Sequence, residues 1–179
     1  PELEQIYREA EELCQTMGDN AQLVPALWLL AVYRFGRSEH EAMGRLVARL
    51  QRLVQKIGDP DLICLPDFWL SPLYQGKLED ARKILIRVSQ HRNLEQQRYL
   101  AVQYGMSPSV LALAYLANCL WLLGFPGKAA QSSQEACDLA AEIDVPMTTC
   151  YADSRKIWQH AFTGEIEAIP HLGKELRQV

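Results

Sequence analysis

Apolar residues recur along this chain at the spacing of an α-helix, in stretches separated by short polar breaks. Residues 2–17 carry their apolar side chains on one stripe, whereas residues 21–35 are almost entirely apolar, as in a helix that packs on two sides. Residues 38–57 return to an apolar stripe with basic residues on the opposite face. The pattern therefore predicts an all-α protein whose helices follow one another closely.

Four loop glycines stand at the same place in successive segments. They are Gly36, Gly76, Gly124 and Gly164, at spacings of 40, 48 and 40 residues. Each follows an apolar stretch and precedes an alanine that opens the next one, which is the signature of stacked helix–turn–helix repeats. We expect a right-handed α-α superhelix, a tetratricopeptide-like (TPR-like) solenoid of about four helical pairs after one leading helix. It would form a single domain over residues 1–179.

The periodicity and the breaks also give bounds for each helix. We expect a lone helix over 2–17 and then the pairs 21–35 with 38–57, 60–75 with 78–91, 108–123 with 127–143, and 147–163 with 165–177.

The position five residues before each loop glycine holds a small side chain in three segments, namely Ala31, Ser71 and Cys119. Small side chains let neighbouring helices approach closely. The last segment has Gln159 there, as we expect of a terminal repeat that faces solvent.

The four tryptophans also precede the loop glycines, and we expect them in the core, with exposure in a groove as the alternative. They are Trp28, Trp69, Trp121 and Trp158.

Two regions depart from the repeat. Pro66 and Pro72 interrupt the helix expected at 61–75, and an interior proline removes a helical hydrogen bond, so we expect a kink or break there. The connection at 92–107 is eight residues longer than the repeat requires and contains Leu94, Tyr99, Leu100, Val102, Tyr104 and Met106. It is too apolar for a free linker, so we expect it to be ordered, folded against the repeats and beside the groove where a partner binds. Alternatively, it only fills a gap beside the irregular helix.

Composition excludes some function classes. The net charge of −4 argues against general binding to nucleic acid or to anionic membranes, and no apolar run approaches the roughly 20 residues of a membrane span. None of the five cysteines lies in a Cys-x-x-Cys pair, so we expect free thiols in a reducing cytoplasm. The sequence begins with Pro1 inside a predicted helix, and we interpret it as a fragment of a longer protein.

Motifs for chemistry are absent from the sequence. It has neither a phosphate-binding Gly-x-x-x-x-Gly-Lys loop nor Gly-x-Gly-x-x-Gly, and its histidines are scattered. We therefore predict no cofactor, no metal and no enzymatic activity. The basic stretch between Arg82 and Arg98 could bind an acidic peptide or a nucleotide-bearing neighbouring domain, or it could be a solvated helix face.

Residues 91–146 carry a resemblance to a known family. The matching residues are Arg98, Tyr104-Gly105, Pro108, Tyr115-Leu116-Ala117, Leu120-Trp121-Leu122-Leu123-Gly124, Pro126, Ser133, Glu135-Ala136 and Pro146. The chain resembles the C-terminal TPR-type region of large bacterial signalling ATPases, in which an adenylate/guanylate cyclase or another effector domain precedes an AAA/NB-ARC-like ATPase. It departs from that pattern at Ser107, where the family usually has Asp. The resemblance implies a regulatory or interaction region with no activity of its own.

These observations predict a scaffold that binds a protein or peptide, with the N-terminal domains of its own parent chain as one candidate partner, and that binds neither nucleic acid nor membrane. The first helix of each pair would line a concave face, and two further candidates come from the 92–107 connection. The candidate binding residues are Arg34, Asp67, Arg98, Tyr104, Tyr115, Asn118, Arg155 and Gln159. The alternative is a domain that senses a small-molecule effector and controls an attached cyclase or ATPase.

Overall fold

The computed structural model describes residues 2–16, 21–59, 62–69, 76–165 and 167, and within them it contains helices and no strand. The all-α prediction is confirmed. The helices are α1 Glu2–Thr16, α2 Leu23–Gly36, α3 His40–Ile57, α4 Cys64–Trp69, α5 Leu78–Ser89, α6 Leu94–Tyr104, α7 Pro108–Leu122, α8 Pro126–Ile143 and α9 Pro146–Thr163. The chain divides into two compact units, residues 1–70 and 71–179.

The first unit is built around α2, which contacts α1 and α3, while α3 also contacts α4. Trp28 of α2 is fully buried, and its ring centroid lies 5.5 Å from that of Trp69 on α4. Tyr7 of α1 stacks on Tyr33 of α2 with their ring centroids 3.9 Å apart. Aromatic packing therefore joins α1 and α4 to the nearly all-apolar helix between them.

The helix expected at 60–75 begins later than predicted. Helix α4 starts at Cys64, and Pro66 lies in its first turn. The N–H groups of a first turn have no partner within the helix, so a proline costs little there. The interruption near Pro66 is thus a helix start. Pro72 lies outside the described residues.

The second unit surrounds α7, which contacts α5, α6, α8 and α9. Every residue of α7 from Pro108 to Ala117 is buried. Helix α8 meets it with small side chains, and the Ser132 hydroxyl donates to the carbonyl oxygen of Leu113 at 2.9 Å. Ser107 caps the start of α7, because its hydroxyl oxygen accepts from the N–H of Val110.

The connection at 92–107 contains a helix of its own, α6, which the repeat pattern did not predict. The Asn93 side chain caps its start by accepting from the N–H of Gln96, and Gly105 ends it with φ of 83°. The expected order and packing are confirmed, since Leu100 and Tyr104 are buried. The apolar content did not predict the burial of each side chain, because Tyr99 remains exposed.

A buried polar junction joins α5, α6, α7 and α9. The Oε1 of Gln97, on α6, accepts from the Ser107 hydroxyl at 2.6 Å and from the Ser109 N–H at 3.3 Å. The Ser109 hydroxyl donates to the carbonyl of Val88, on α5, at 3.2 Å, and the Ser107 N–H donates to the Thr148 hydroxyl, on α9, at 3.4 Å. Gln97 is fully buried, so this junction fixes how α6 meets the start of α7.

Helix α9 shows a second departure from expectation. Gln159 was expected to face solvent, but it is 4% exposed. The helix predicted at 165–177 lies outside the described residues, apart from 165 and 167. Of the helices in the described part of the chain, none alone is long and apolar enough to cross a membrane, and the one pair that reaches this length together, α6 with α7, is bent by 89°.

The Gln97 junction predicts a destabilised variant. Gln97→Met keeps the side-chain volume but leaves the buried Ser109 N–H without its acceptor, which costs about 1–3 kcal/mol. We expect urea unfolding followed by circular dichroism to show a loss of that size. Gln103→Met, at an exposed position of the same helix, is the control. Equal stability of the two variants would contradict the role of the junction.

The end of α8 predicts a stabilised variant. Asp144 adopts the left-handed conformation with φ of 56°, which is strained for a side chain other than glycine. We expect Asp144→Gly to raise the free energy of unfolding by about 0.5–1 kcal/mol. Gly105→Ala is the opposite test, because a Cβ there meets no atom within 4 Å and only the positive φ opposes it. A stabilising Gly105→Ala would show that backbone conformation does not decide these helix ends.

Candidate functional site

Helices α7 and α9 bring an arginine into a cluster of aromatic rings. The Nη2 of Arg155 donates to the hydroxyl oxygen of Tyr115 at 3.2 Å, and its Nε donates to that of Tyr151 at 3.1 Å. The guanidinium carbon lies 4.8 Å from the Tyr115 ring centroid, 5.0 Å from that of Tyr151 and 5.9 Å from that of Trp158. These distances are those of cation–π contacts, so the rings hold the guanidinium in place.

Further aromatic rings extend this cluster along the two helices. Trp121 of α7 and Phe162 of α9 are stacked with ring centroids 6.3 Å apart, and Trp158 meets Phe162 edge-on at 6.2 Å. Residues 151, 155, 158 and 162 share one side of α9 because they follow each other at three- and four-residue steps. Trp158 is 55% exposed and Phe162 is 45% exposed, so the rings form an accessible surface.

Two carboxamides lie one turn beyond the arginine cluster on the same helices. Asn118 follows Tyr115 by three residues, and Gln159 follows Arg155 by four. Within the described part of the chain, the Oδ1 of Asn118 and both polar atoms of the Gln159 amide are buried without a hydrogen-bond partner. A buried polar atom without a partner costs about 1–3 kcal/mol.

We call this surface the α7–α9 face. It comprises Tyr115, Asn118, Trp121, Tyr151, Arg155, Trp158, Gln159 and Phe162. Four of the eight candidate residues belong to it: Tyr115, Asn118, Arg155 and Gln159.

Arg155 is the one basic residue of the α7–α9 face, which contains no acidic residue. Helix α7 has no charged residue, and α9 contributes Arg155. Burial raises the pKa of the Tyr151 hydroxyl well above its usual value, and the neighbouring Tyr115 raises it further, against a smaller opposing effect of Arg155. The Tyr151 hydroxyl that accepts from the guanidinium is therefore neutral at physiological pH.

The other four candidate residues are not part of the α7–α9 face. Arg34 and Asp67 belong to the first unit, where Arg34 forms an ion pair with Glu39. Hydrogen bonds from Arg37 and then from Arg34 lower the pKa of the Glu39 carboxyl. The structure therefore gives Arg34 a local partner at the turn after α2.

The candidate residues Arg98 and Tyr104 lie on α6 and contribute to the packing of that helix. The Nε of Arg98 donates to the carbonyl of Ile143 at 2.7 Å, and its Nη2 donates to that of Glu142 at 3.1 Å. These carbonyls end α8, where a cation is favourable. Tyr104 is 5% exposed. Arg98 thus ties α6 to the end of α8, which is a packing role.

Sequence reasoning missed half of the face. The tryptophans were expected in the core, with exposure in a groove as the alternative. Trp28 and Trp69 are buried as expected, whereas Trp158 is exposed. A signal for the site was present. Tyr115 and Arg155 are separated by 40 residues, the spacing between Gly124 and Gly164, so they occupy equivalent positions in the predicted first helices of successive pairs.

Other groups that could bind a ligand or react are weaker candidates for a functional site. Arg92, Leu94, Glu135, Asp138, Leu139 and Glu142 line a depression of about 150 Å³ between α6 and α8. Cys137, on α8, has its pKa raised to about 12, first by burial and then by the charge of Asp153, so its thiol stays protonated at neutral pH. In the described ranges, no three histidine, cysteine or carboxylate side chains are grouped to hold a metal ion.

Comparison with known proteins adds no relative. No protein-family model matches the chain, and no curated protein sequence matches it significantly. Functional interpretation therefore depends on the geometry of the site.

The raised pKa of Tyr151 predicts a pH dependence of stability. The folded state holds this proton more tightly than the unfolded state, so stability falls as the pH rises above the unfolded tyrosine pKa of about 10. For one group the slope approaches about 1.4 kcal/mol per pH unit. Urea midpoints measured between pH 8 and 11 should fall more steeply for the wild type than for Tyr151→Phe. Parallel slopes would contradict the buried, neutral hydroxyl.

Proposed function

We propose that this protein is a non-catalytic interaction and regulatory scaffold of TPR-like repeats that binds a protein or peptide segment on the α7–α9 face. One observation carries the proposal: α9 presents the exposed rings of Trp158 and Phe162 beside the Arg155 guanidinium, which tyrosines of α7 and α9 hold in place. Tryptophan, tyrosine and arginine are the residues that contribute most to protein–protein binding energy. The face combines all three.

The repeat register supports a TPR-like arrangement. Helices α7 and α9 are the first helices of successive predicted pairs, and the hydrogen bond between Tyr115 and Arg155 spans one 40-residue repeat. Stacked repeats contact their neighbours and create extended concave surfaces, which these proteins use for binding. In this proposal the first helices line that surface.

The family resemblance suggests where the partner comes from. If the chain is the C-terminal repeat region of a signalling ATPase, its N-terminal domains are a partner that is always present at high local concentration. Binding on the α7–α9 face would then regulate the attached cyclase or ATPase.

A small-molecule sensor is the second candidate function. The depression between α6 and α8 supports it, with Arg92 and Glu135 joined by an ion pair of 3.1 Å at its wall. Its volume of about 150 Å³ is below the roughly 300–1,000 Å³ of ordinary ligand pockets. A thermal-shift screen with metabolites tests this function, and a Tm increase that Glu135→Gln abolishes would favour it.

The scaffold proposal predicts that binding depends on exposed rings of α9. A phage-displayed library of random peptides, selected on the immobilised wild-type chain, should yield binders. Trp158→Ala with Phe162→Ala should weaken them at least about 30-fold, since such aromatic residues contribute 2 kcal/mol or more. Tyr99→Ala, at a comparably exposed ring on α6, is the control and should bind normally. Failure to select any binder, or binders that tolerate loss of both rings, would contradict the proposal.

A further inference from the structure

Helix α1 exposes two large apolar side chains on one side. Ile6 is 61% exposed and Leu13 is 60% exposed, and they are seven residues apart, which is close to two turns of a helix. The neighbouring positions are covered, because Tyr7 stacks on Tyr33 of α2 and Cys14 is buried. The apolar stripe of α1 is therefore covered on one side and open on the other.

Helices α3 and α8 occupy the same place in the repeat pattern as α1. Leu13 stands five residues before a Gly-Asp pair, and so does Leu53 of α3. Leu139 of α8 stands five residues before Asp144, which ends α8 in the same left-handed conformation as Gly58 ends α3. These three leucines are therefore at equivalent positions of the three helices.

The equivalent positions differ in burial. Leu53 is 2% exposed and Leu139 is 4% exposed, against 60% for Leu13. The same difference is found seven residues earlier, where Leu46 of α3 is 7% exposed and Ile6 of α1 is 61% exposed. The open side of α1 is thus a surface that α3 and α8 bury.

The packing of α8 shows what covers this side of such a helix. Ser132 of α8 is at the position of Ile6, and its hydroxyl donates to the carbonyl oxygen of Leu113 on α7 at 2.9 Å. The position therefore faces a neighbouring helix. In the first unit α3 likewise contacts α2, the helix before it. By this equivalence the open side of α1 fits one further helix.

The charge beside the open side indicates the chemistry of that helix. The sequence of α1 contains five glutamates and one arginine. Glu9 is exposed, and it is three residues from Ile6 and four from Leu13, so it borders the exposed stripe. A second copy of α1 would bring like charges together, whereas a helix with lysine or arginine beside its apolar stripe would bring opposite charges together.

We infer that α1 is a docking site for one amphipathic helix of a partner protein, with an apolar stripe that covers Ile6 and Leu13 and with basic residues beside that stripe. The apolar side chains contribute affinity because they leave water on binding. The glutamates select among partners by charge. The site shares no residue with the α7–α9 face, and it does not depend on the proposed function.

The experiment uses a phage-displayed library of helices of about 18 residues, selected on the immobilised whole chain. Every member has leucine or isoleucine in a stripe with the heptad spacing, and lysine, glutamine or glutamate beside it. We expect selection to enrich lysine. The strongest binder is synthesised together with a matched peptide in which glutamate replaces each selected lysine, and affinities are measured by fluorescence anisotropy.

The apolar contact is tested with paired variants. Ile6→Gln with Leu13→Gln should weaken binding of the lysine peptide at least about tenfold, because the peptide's apolar stripe loses the surface it covers. Both side chains are exposed in the free chain, so the melting temperature should not change. Val102→Gln with Met147→Gln removes two comparably exposed apolar side chains and is the control, which should bind as the wild type does.

A charge reversal tests the chemistry of the partner. Glu9→Lys with Glu12→Lys should weaken the lysine peptide about fivefold and strengthen the glutamate peptide by a similar factor, since attractive pairs become repulsive. The effect should shrink in concentrated salt, which screens exposed charges.

The outcomes separate a helix-binding site on α1 from its alternatives. Selection that yields no binder, or binding that tolerates Ile6→Gln with Leu13→Gln, overturns the inference. Equal affinity for the lysine and glutamate peptides contradicts the basic partner. A wild-type dimer in sedimentation that the same double variant dissociates would show that a second copy occupies the site instead.

The two binding surfaces are tested independently. The selected helix should bind Trp158→Ala with Phe162→Ala as it binds the wild type, because neither ring belongs to α1. Binders that require those two rings would overturn this inference while supporting the proposed function. Loss of every random-peptide binder would contradict the proposed function and leave the site on α1 in place.

Discussion

Helix α7 carries no charged side chain, and its residues from Pro108 to Ala117 are all buried, so other helices must cover it on every side. Helices α5, α6, α8 and α9 provide that cover. Because α8 contributes alanines and serines, it approaches closely, and its Ser132 hydroxyl finds an acceptor in the α7 backbone. The remaining side of α7 meets α9, where Tyr115 and Asn118 become part of the α7–α9 face.

The two buried glutamines of this unit have different environments. The Oε1 of Gln97 accepts from Ser107 and Ser109, and it joins the start of α7 to α6. Among the described residues, the Nε2 of Gln97 and both polar atoms of the Gln159 amide have no partner. A paired buried group specifies a packing arrangement, whereas an unpaired one reduces stability. The Oε1 of Gln97 is therefore the one amide atom of the two side chains that fixes packing.

Part of the site could be predicted because the spacing of the loop glycines identifies α7 and α9 as the predicted first helices of successive pairs. Tyr115, Asn118, Arg155 and Gln159 were candidates as polar or amphipathic residues on those helices. Arg98 was a candidate from the 92–107 connection, and its guanidinium instead caps the carbonyl end of α8. Which contact a long side chain makes depends on a helix 45 residues away, and no local pattern contains that information.

Apart from α6, the sequence by itself determined the described helices and their order, because apolar periodicity, helix-capping residues and glycines with positive φ act within a few residues of one another. The start of α4 at Cys64, with Pro66 in its first turn, follows from the same local chemistry. Tertiary structure decided which faces are covered. It exposed Trp158, buried Gln159, and formed α6 within a connection whose burial depends on contacts with α7 and α8. These outcomes depend on packing between helices that are far apart in the chain, and a side chain's own polarity does not fix them.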